Sequence, residues 1–254
     1  MTTQNPASQL KPWPYPRWIA HRGAGTLAPE NTIAAFRKGA EFGYRMFECD
    51  AKLSADEVVF LMHDATLQRT TNGQGIGGEQ SWQQLSQLDA GSWHSSHFSG
   101  EPLPTLANLA HYCIRNGFFL NIEIKPTPGV EFKTGEIVAQ QAALLWQHEK
   151  VPPLLTSFQV DSLKGAQKAA PHLPRGLLRH TLNEGWLETA KALDCSAVVC
   201  QYGLWTPQHV ASVHAAGMRC LSYTVNDEWA TQHLINLGTD GIITDRVDAF
   251  SPAL

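Results

Sequence analysis

Short apolar runs alternate along the chain with longer segments whose apolar residues recur at helical spacing. The runs predict strands at Trp18–Ala20, Met46–Asp50, Phe118–Ile124, Leu154–Ser157, Arg175–Leu178, Ala197–Cys200, Met218–Tyr223 and Gly241–Thr244. Helical patterns fall between them, near Thr32–Phe42, Leu106–Asn116, Phe132–Gln147, Val160–Ala169, Trp186–Leu193, Pro207–Ala216 and Glu228–Leu237. Strands that alternate with helices pair in parallel through crossover connections. Eight of them predict an α/β chain closed into a (β/α)8 TIM-type barrel rather than an open doubly wound sheet. A barrel uses roughly 250 residues. The 254 residues therefore form one domain, 1–254.

Two places break the alternation. Val58–Met62 is a further β-rich run, separated from the preceding extended segment by only Ser54-Ala55-Asp56-Glu57. That gap is too short for a parallel crossover and suits an antiparallel hairpin. Met46–Leu53 should run past the barrel rim and return along Val58–Met62, bringing His63-Asp64 back towards Asp50. The second break is Ala65–Thr105, too long for an ordinary βα loop, which we read as a small insertion over the C-terminal face. Its run Asn72-Gly73-Gln74-Gly75-Ile76-Gly77-Gly78 resembles a dinucleotide fingerprint. It follows no strand and opens no helix, so it reads as a flexible loop.

Composition narrows the function classes. With 43% hydrophobic residues the chain can bury a sizeable core, and its net charge of −4 gives no reason to expect nucleic acid or an anionic membrane as partner. No stretch approaches the roughly 20 apolar residues of a membrane span. Met1–Trp18 is polar and Pro-rich with no apolar run before Trp18, unlike an ordinary secretory signal peptide. Five cysteines without regular spacing read as reduced thiols, and Cys195, Cys200 and Cys220 sit in apolar runs as small core residues. These features predict a cytoplasmic chain without membrane insertion. They leave its oligomeric state open.

The chemistry-bearing residues gather at predicted strand ends. They are His21-Arg22-Gly23 with Glu30-Asn31, then Glu48-Cys49-Asp50, His63-Asp64 and Glu123-Ile124-Lys125. Alternation along a strand turns Glu48 and Asp50 to one side and Cys49 to the other, and pairs Glu123 with Lys125. Carboxylates at 48, 50 and 123 then converge inside the barrel mouth. Unpaired, they would resist ionisation, and a divalent cation resolves the repulsion. An all-oxygen set favours Mg²⁺ or Ca²⁺ over Zn²⁺. Arg22 and Lys125 suit a phosphate group, and His21 and His63 suit a general base and a general acid. Asn31 equally suits an N-cap of the following helix, and Asp64 and Asp245 equally suit turns or caps.

The ordered set His21-Arg22-Gly23…Pro29-Glu30-Asn31-Thr32, Glu48-x-Asp50, His63-Asp64, Glu123-Ile124-Lys125-Pro126 and Tyr223-Thr224-Val225-Asn226 resembles the glycerophosphodiester phosphodiesterase family. The resemblance runs from about Trp18 to Asp248 and is nearest to the family's cytoplasmic bacterial members of the sn-glycerol 3-phosphate uptake system. It implies hydrolysis of glycerophosphodiesters such as glycerophosphocholine and glycerophosphoethanolamine to sn-glycerol 3-phosphate and an alcohol. It assigns a divalent cation to Glu48, Asp50 and Glu123, and acid–base catalysis to His21 and His63. Arg22 and Lys125 become phosphate contacts, Glu30 and Asn31 support the site, and Phe158 and Tyr223 line the glycerol pocket. Many relatives carry Trp where this chain has Tyr223.

Overall fold

The computed structural model describes residue 10 and residues 12–252, so most of the polar N-terminal segment lies outside the described residues. Among the described residues nine strands form: β1 (Trp18–Ala20), β2 (Met46–Leu53), β3 (Val59–Leu61), β4 (Phe119–Ile124), β5 (Leu154–Ser157), β6 (Arg175–Arg179), β7 (Ala197–Gln201), β8 (Arg219–Tyr223) and β9 (Gly241–Thr244). Eight of them run parallel in the order β1-β9-β8-β7-β6-β5-β4-β2, and β1 also pairs with β2, which closes the barrel. The expected TIM-type fold is the one observed. β3 stands outside the ring and pairs antiparallel with β2, with Ala51 opposite Leu61 and Leu53 opposite Val59. The short Ser54–Glu57 connection has made the hairpin expected of it.

The helices are α1 (Ile33–Glu41), α2 (Trp82–Leu85), α3 (Leu106–Asn116), α4 (Glu131–Leu145), α5 (Val160–Ala169), α6 (Trp186–Ala192), α7 (Pro207–Ala215) and α8 (Glu228–Leu237). Their starts follow from local chemistry. The side chains of Thr32, Thr105, Thr206 and Asp227 accept backbone N–H groups that the first helical turn leaves without partners. α2 belongs to the insertion and the other seven cover the barrel.

Two layers of apolar burial hold these elements. Inside the barrel, Ile19, Met46, Leu154, Leu178, Val199, Leu221 and Ile243 pack together, with Tyr15 among them. The Tyr15 hydroxyl donates to the Pro152 carbonyl at 2.8 Å, fastening the segment before β1 to the chain ahead of β5. Outside, alternate residues such as Phe47, Cys49, Ile122 and Val198 face the helices. Burying one large apolar side chain contributes on the order of 2 kcal/mol, so this double alternation fixes strand register and thereby which residues face inward. All five cysteines are buried and unpaired, as core residues should be.

The insertion differs from its expected loose form. Its Leu67, Leu85, Ala90 and Leu103 form a small core with Phe60 and Met62 of the hairpin. The Gly-rich run is stitched down by backbone bonds from Gly77 N to Ala65 O and from Leu67 N to Gly75 O, both 2.9 Å. A Cβ on Gly78 would lie 2.2 Å from Thr127 Oγ1, so glycine is needed there for close approach, not looseness. The insertion covers the sector of the mouth beside β1 and β2. His94 Nε2 lies 2.9 Å from the Thr26 carbonyl, and Glu101 Oε1 accepts from Ala34 N at 3.0 Å.

Candidate active site

The C-terminal ends of β1, β2, β4 and β9 bring the charged residues together. The parallel register of β2 and β4 sets Asp50 beside Glu123, with Glu48 one inward position below. Ligand oxygens of Glu48, Asp50 and Glu123 all lie within 4.8 Å of one another. Burial, then the charge of Asp50, pushes the Glu48 carboxyl up to about 8 and raises Glu123 as well. Burial pushes Asp50 the same way, but the Arg22 and Lys125 charges outweigh it and hold that carboxyl at about 2. Glu48 Oε1 and Asp50 Oδ1 are buried without a hydrogen-bond partner. Orphaned carboxylate oxygens converging in this way fit a hard divalent cation.

The loop from β1 to α1 wraps over this cluster in a strained path. Arg22 (φ 50°) and Asn31 (φ 60°) both occupy the left-handed region, which costs non-glycine residues about 1 kcal/mol or more each. The strain is matched by contacts. Arg22 N donates to Glu48 Oε2 at 3.0 Å, and its guanidinium donates to Glu30 at 2.9 Å with Nε 3.3 Å from Asp50. Asn31 grips Asp50 twice, donating from Nδ2 to Oδ2 at 2.8 Å and accepting from the Asp50 N–H at 3.0 Å. The helix cap is Thr32, whose Oγ1 accepts from Ala35 N, so the capping alternative for Asn31 is set aside. Gly25 (φ 58°) lets the loop lie on the backbone after β9, where an added Cβ would meet Asp245 O at 2.1 Å.

Each histidine is oriented by a carboxylate on its Nδ1. For His21 this is Asp245 at 2.6 Å, leaving Nε2 turned inward, 3.9 Å from Glu48. For His63 it is Asp64 at 2.7 Å. The two rings titrate in opposite directions. Burial lowers His21, but the Asp245 bond and the Glu48 charge outweigh it and the net shift is upward. Burial lowers His63, the Arg22 and Lys125 charges add to that, and its shift is downward despite Asp50. Arg69, from the insertion, joins both arms. It donates to both oxygens of Asp64 and both oxygens of Glu30 at 2.6–2.9 Å, so one guanidinium supports the partner of His63 and the partner of Arg22.

Lys125 donates to Glu123 at 2.9 Å and lies 3.8 Å from Asp50. Burial disfavours its charge, but Glu123 and Asp50 outweigh that and raise its pKa. Beneath it, the buried Lys52 donates to the Lys125 carbonyl at 3.0 Å, and burial lowers its pKa to about 8. A cavity of about 570 Å³ opens over these groups, with Phe158, His180 and Tyr223 on its far wall. No residue of Asn72–Gly78 lines it.

All eleven residues singled out from the sequence thus lie at or beside this mouth. Sequence reasoning gave Asp64 and Asp245 no role beyond one that a turn or cap would equally suit, and passed over Arg69, Lys52 and His180. Asp64 adjoins His63 and Asp245 follows the last strand, β9, which was a usable signal. Arg69 and His180 had none, being ordinary charged and polar residues brought in by the tertiary fold.

The family model for the glycerophosphoryl diester phosphodiesterase family matches residues 21–249, from the first site histidine to beyond Asp245. The chain belongs to that family. A glycerophosphodiester phosphodiesterase of Caldanaerobacter subterraneus subsp. tengcongensis is 34% identical over 232 residues, covering 89% of this chain and 93% of that one. Another, from Bacillus altitudinis, is 30% identical over 91% of this chain and 94% of its own length. Among solved structures, an Oleispira antarctica phosphodiesterase in complex with the product sn-glycerol-3-phosphate superposes with a TM-score of 0.84 at 32% identity, covering 91% and 93% of the two chains. A glycerophosphodiester phosphodiesterase from Agrobacterium tumefaciens gives 0.77 at 29% identity over 94% of this chain and all of that one. As a glycerophosphodiester phosphodiesterase, this chain is a phosphoric diester hydrolase on a TIM-type barrel. Among the described residues no helix is long and apolar enough to cross a membrane.

Proposed function

We propose that this enzyme hydrolyses glycerophosphodiesters, among them glycerophosphocholine and glycerophosphoethanolamine, to sn-glycerol 3-phosphate and the free alcohol. The observation that carries the reading is the pair of carboxylate-oriented histidines at one mouth with two cationic side chains and three converging carboxylates. The product bound by the Oleispira antarctica phosphodiesterase supports the same product here.

Arg22 and Lys125 bind the phosphate oxygens, and Glu30 and Asn31 hold Arg22 and Asp50 in place. Glu48, Asp50 and Glu123 hold Mg²⁺ or Ca²⁺, which when bound offsets phosphate charge and acidifies a nearby hydroxyl. His63, neutral because its pKa is depressed, takes the proton of the attacking hydroxyl. His21, kept protonated by Asp245 and Glu48, gives a proton to the alcohol oxygen as its bond to phosphorus breaks. Ser157 Oγ in the cavity already donates to the Ile124 carbonyl at 2.7 Å, and no free thiol faces the site, so a covalent enzyme intermediate is disfavoured. The attacking group is then the substrate's own glycerol 2-hydroxyl, which starts with a high effective molarity; its attack leaves a cyclic phosphate, which water opens to sn-glycerol 3-phosphate while the two histidines exchange roles. Phe158 and Tyr223 form the glycerol wall. The buried reduced thiols accord with action in the cytoplasm.

The test is release of sn-glycerol 3-phosphate from glycerophosphocholine by purified protein, before and after dialysis against chelator and on adding back Mg²⁺ or Ca²⁺. Activity should vanish and return, and Glu123→Gln should need more metal for half-maximal rate. Full turnover after exhaustive chelation refutes the metal assignment.

A further inference from the structure

His180 follows the last residue of β6 and forms part of the cavity wall. Its ring stacks on Phe158 with centroids 4.1 Å apart and 13° between planes. Its Nδ1 lies 2.8 Å from the Tyr223 hydroxyl, which is also 3.0 Å from the Arg179 carbonyl. These two contacts determine a proton. A carbonyl only accepts, so Tyr223 spends its single O–H on Arg179, and its oxygen must then accept from His180. The imidazole therefore carries its proton on Nδ1. Nε2 has no partner among the described residues and, in the neutral ring, is a bare acceptor. Burial, then the nearby Lys125 charge, lowers the pKa of His180, which keeps the ring neutral.

We infer that His180 is a specificity-determining residue whose Nε2 accepts a hydrogen bond from the terminal, primary hydroxyl of the substrate's glycerol. The inference rests on the activity proposed above and deepens it. The Phe158 ring connects the two ends of the argument: His180 stacks on it, and the Lys125 ammonium stands 5.7 Å from its centroid. A phosphate held at Lys125 lets a three-carbon polyol run along this ring and end at His180. The wall is unsuited to a quaternary ammonium head group. The Phe158 face is taken by His180, and the fixed Lys125 charge repels a second cation. A neutral hydroxyl donor meets a neutral acceptor there without that penalty. Sites built to hydrogen-bond a substrate hydroxyl discriminate strongly against analogues lacking it, because the site's polar atom is left unpaired.

Glycerophosphocholine suits the test because its only hydroxyls are on the glycerol half. Its kcat/KM is compared with that of the analogue carrying methyl in place of the terminal CH₂OH, in wild type, His180→Phe and His180→Gln. Phe preserves the stack and removes the acceptor, whereas the Gln amide oxygen reaches the Nε2 position. Wild type should prefer the natural diester about tenfold or more, mostly through KM. The preference should fall to about threefold or less in His180→Phe and return in part in His180→Gln. Nitrogen-15 spectra of the imidazole, read without any turnover, should show Nδ1 protonated and Nε2 bare near neutral pH. A wild-type preference retained by a folded His180→Phe overturns the inference, as does an Nε2-protonated ring. Wild-type protein inert towards both diesters refutes the activity reading itself, and the inference with it.

Discussion

Replacing Asp245 with Asn tests how the site sets the proton of His21. The substitution is nearly isosteric, but the local bonding cannot absorb it. Asp245 Oδ1 faces His21 Nδ1 at 2.6 Å, and Oδ2 accepts from Asn226 Nδ2 at 2.9 Å. Asn226 cannot turn over in response, because its Oδ1 accepts from Asp245 N at 2.9 Å and Thr244 Oγ1 at 3.2 Å. An amide at 245 therefore has two unfavourable choices. With its NH₂ towards Asn226, two donors oppose each other and His21 keeps only a neutral acceptor. With its NH₂ towards His21, Nδ1 must accept and the ring proton moves to Nε2, the wrong nitrogen for a neutral ring that must take up a proton in turnover. Either choice removes a charge-assisted hydrogen bond of about 1.5–3 kcal/mol, corresponding to roughly 10- to 150-fold in kcat. The Asp245 bond also supports the raised His21 pKa, so its loss lowers that pKa. His21 acts as proton donor, so activity is lost as pH rises through its pKa, and the alkaline limb of the rate profile should move to lower pH. The assay is kcat and kcat/KM for glycerophosphocholine from about pH 5 to about pH 10, with metal saturating. A kcat within about threefold of wild type, with the alkaline limb unmoved, refutes this account of Asp245.

Three further outcomes are expected. Arg69→Met removes the fork that supports Asp64 and Glu30; kcat should fall about tenfold because His63 and Arg22 lose their alignment. Its exposure limits the stability loss to about 1 kcal/mol or less, so a large drop in Tm would contradict a positioning role. At the opposite end of the barrel, Asp240 is held below the ordinary carboxylate range: burial raises it, but hydrogen bonds from His214, the Cys220 N–H and Arg219 outweigh that. A depressed carboxyl stabilises the fold above its unfolded pKa and loses that contribution as pH falls through the folded value. Asp240→Asn should therefore lower Tm by several degrees near neutrality, with the gap to wild type closing below about pH 4, whereas a pH-independent gap would exclude this charge network as the cause. Finally, a glycerophosphocholine analogue without the 2-hydroxyl should bind yet turn over at least about a hundredfold more slowly, and rapid cleavage would make water the attacking group.

Much of this site is legible in the amino-acid sequence. Strand alternation places Glu48, Asp50 and Glu123 on the inner face whatever the helices do outside, because a period of two admits no other reading once Phe47, Cys49 and Ile122 are committed to the outer core. The four-residue Ser54–Glu57 connection likewise dictates a hairpin, and the hairpin delivers His63. What the linear chain could not express was pairing at long range. Asp245 reaches His21 across 224 positions, and Arg69 reaches Glu30 across 39. Neither pairing has a periodic signature, since each depends on which loop lies over which strand end. Asn31 shows the same limit at short range: its position before a helix fitted a cap, but Thr32 took that bond and freed Asn31 to hold Asp50. The Gly-rich run looked loose because glycine permits freedom, and only packing against Thr127 and the insertion's small core shows that it serves close approach. The sequence by itself determined the barrel, the inward carboxylates and the two histidines, because local periodicity and short loops encode them. The tertiary structure decided that Asp245 sets the proton of His21 and that Arg69 braces Asp64 beside His63, because β1 and β9 meet only when the strands close into a ring and the insertion reaches the mouth only in the folded chain.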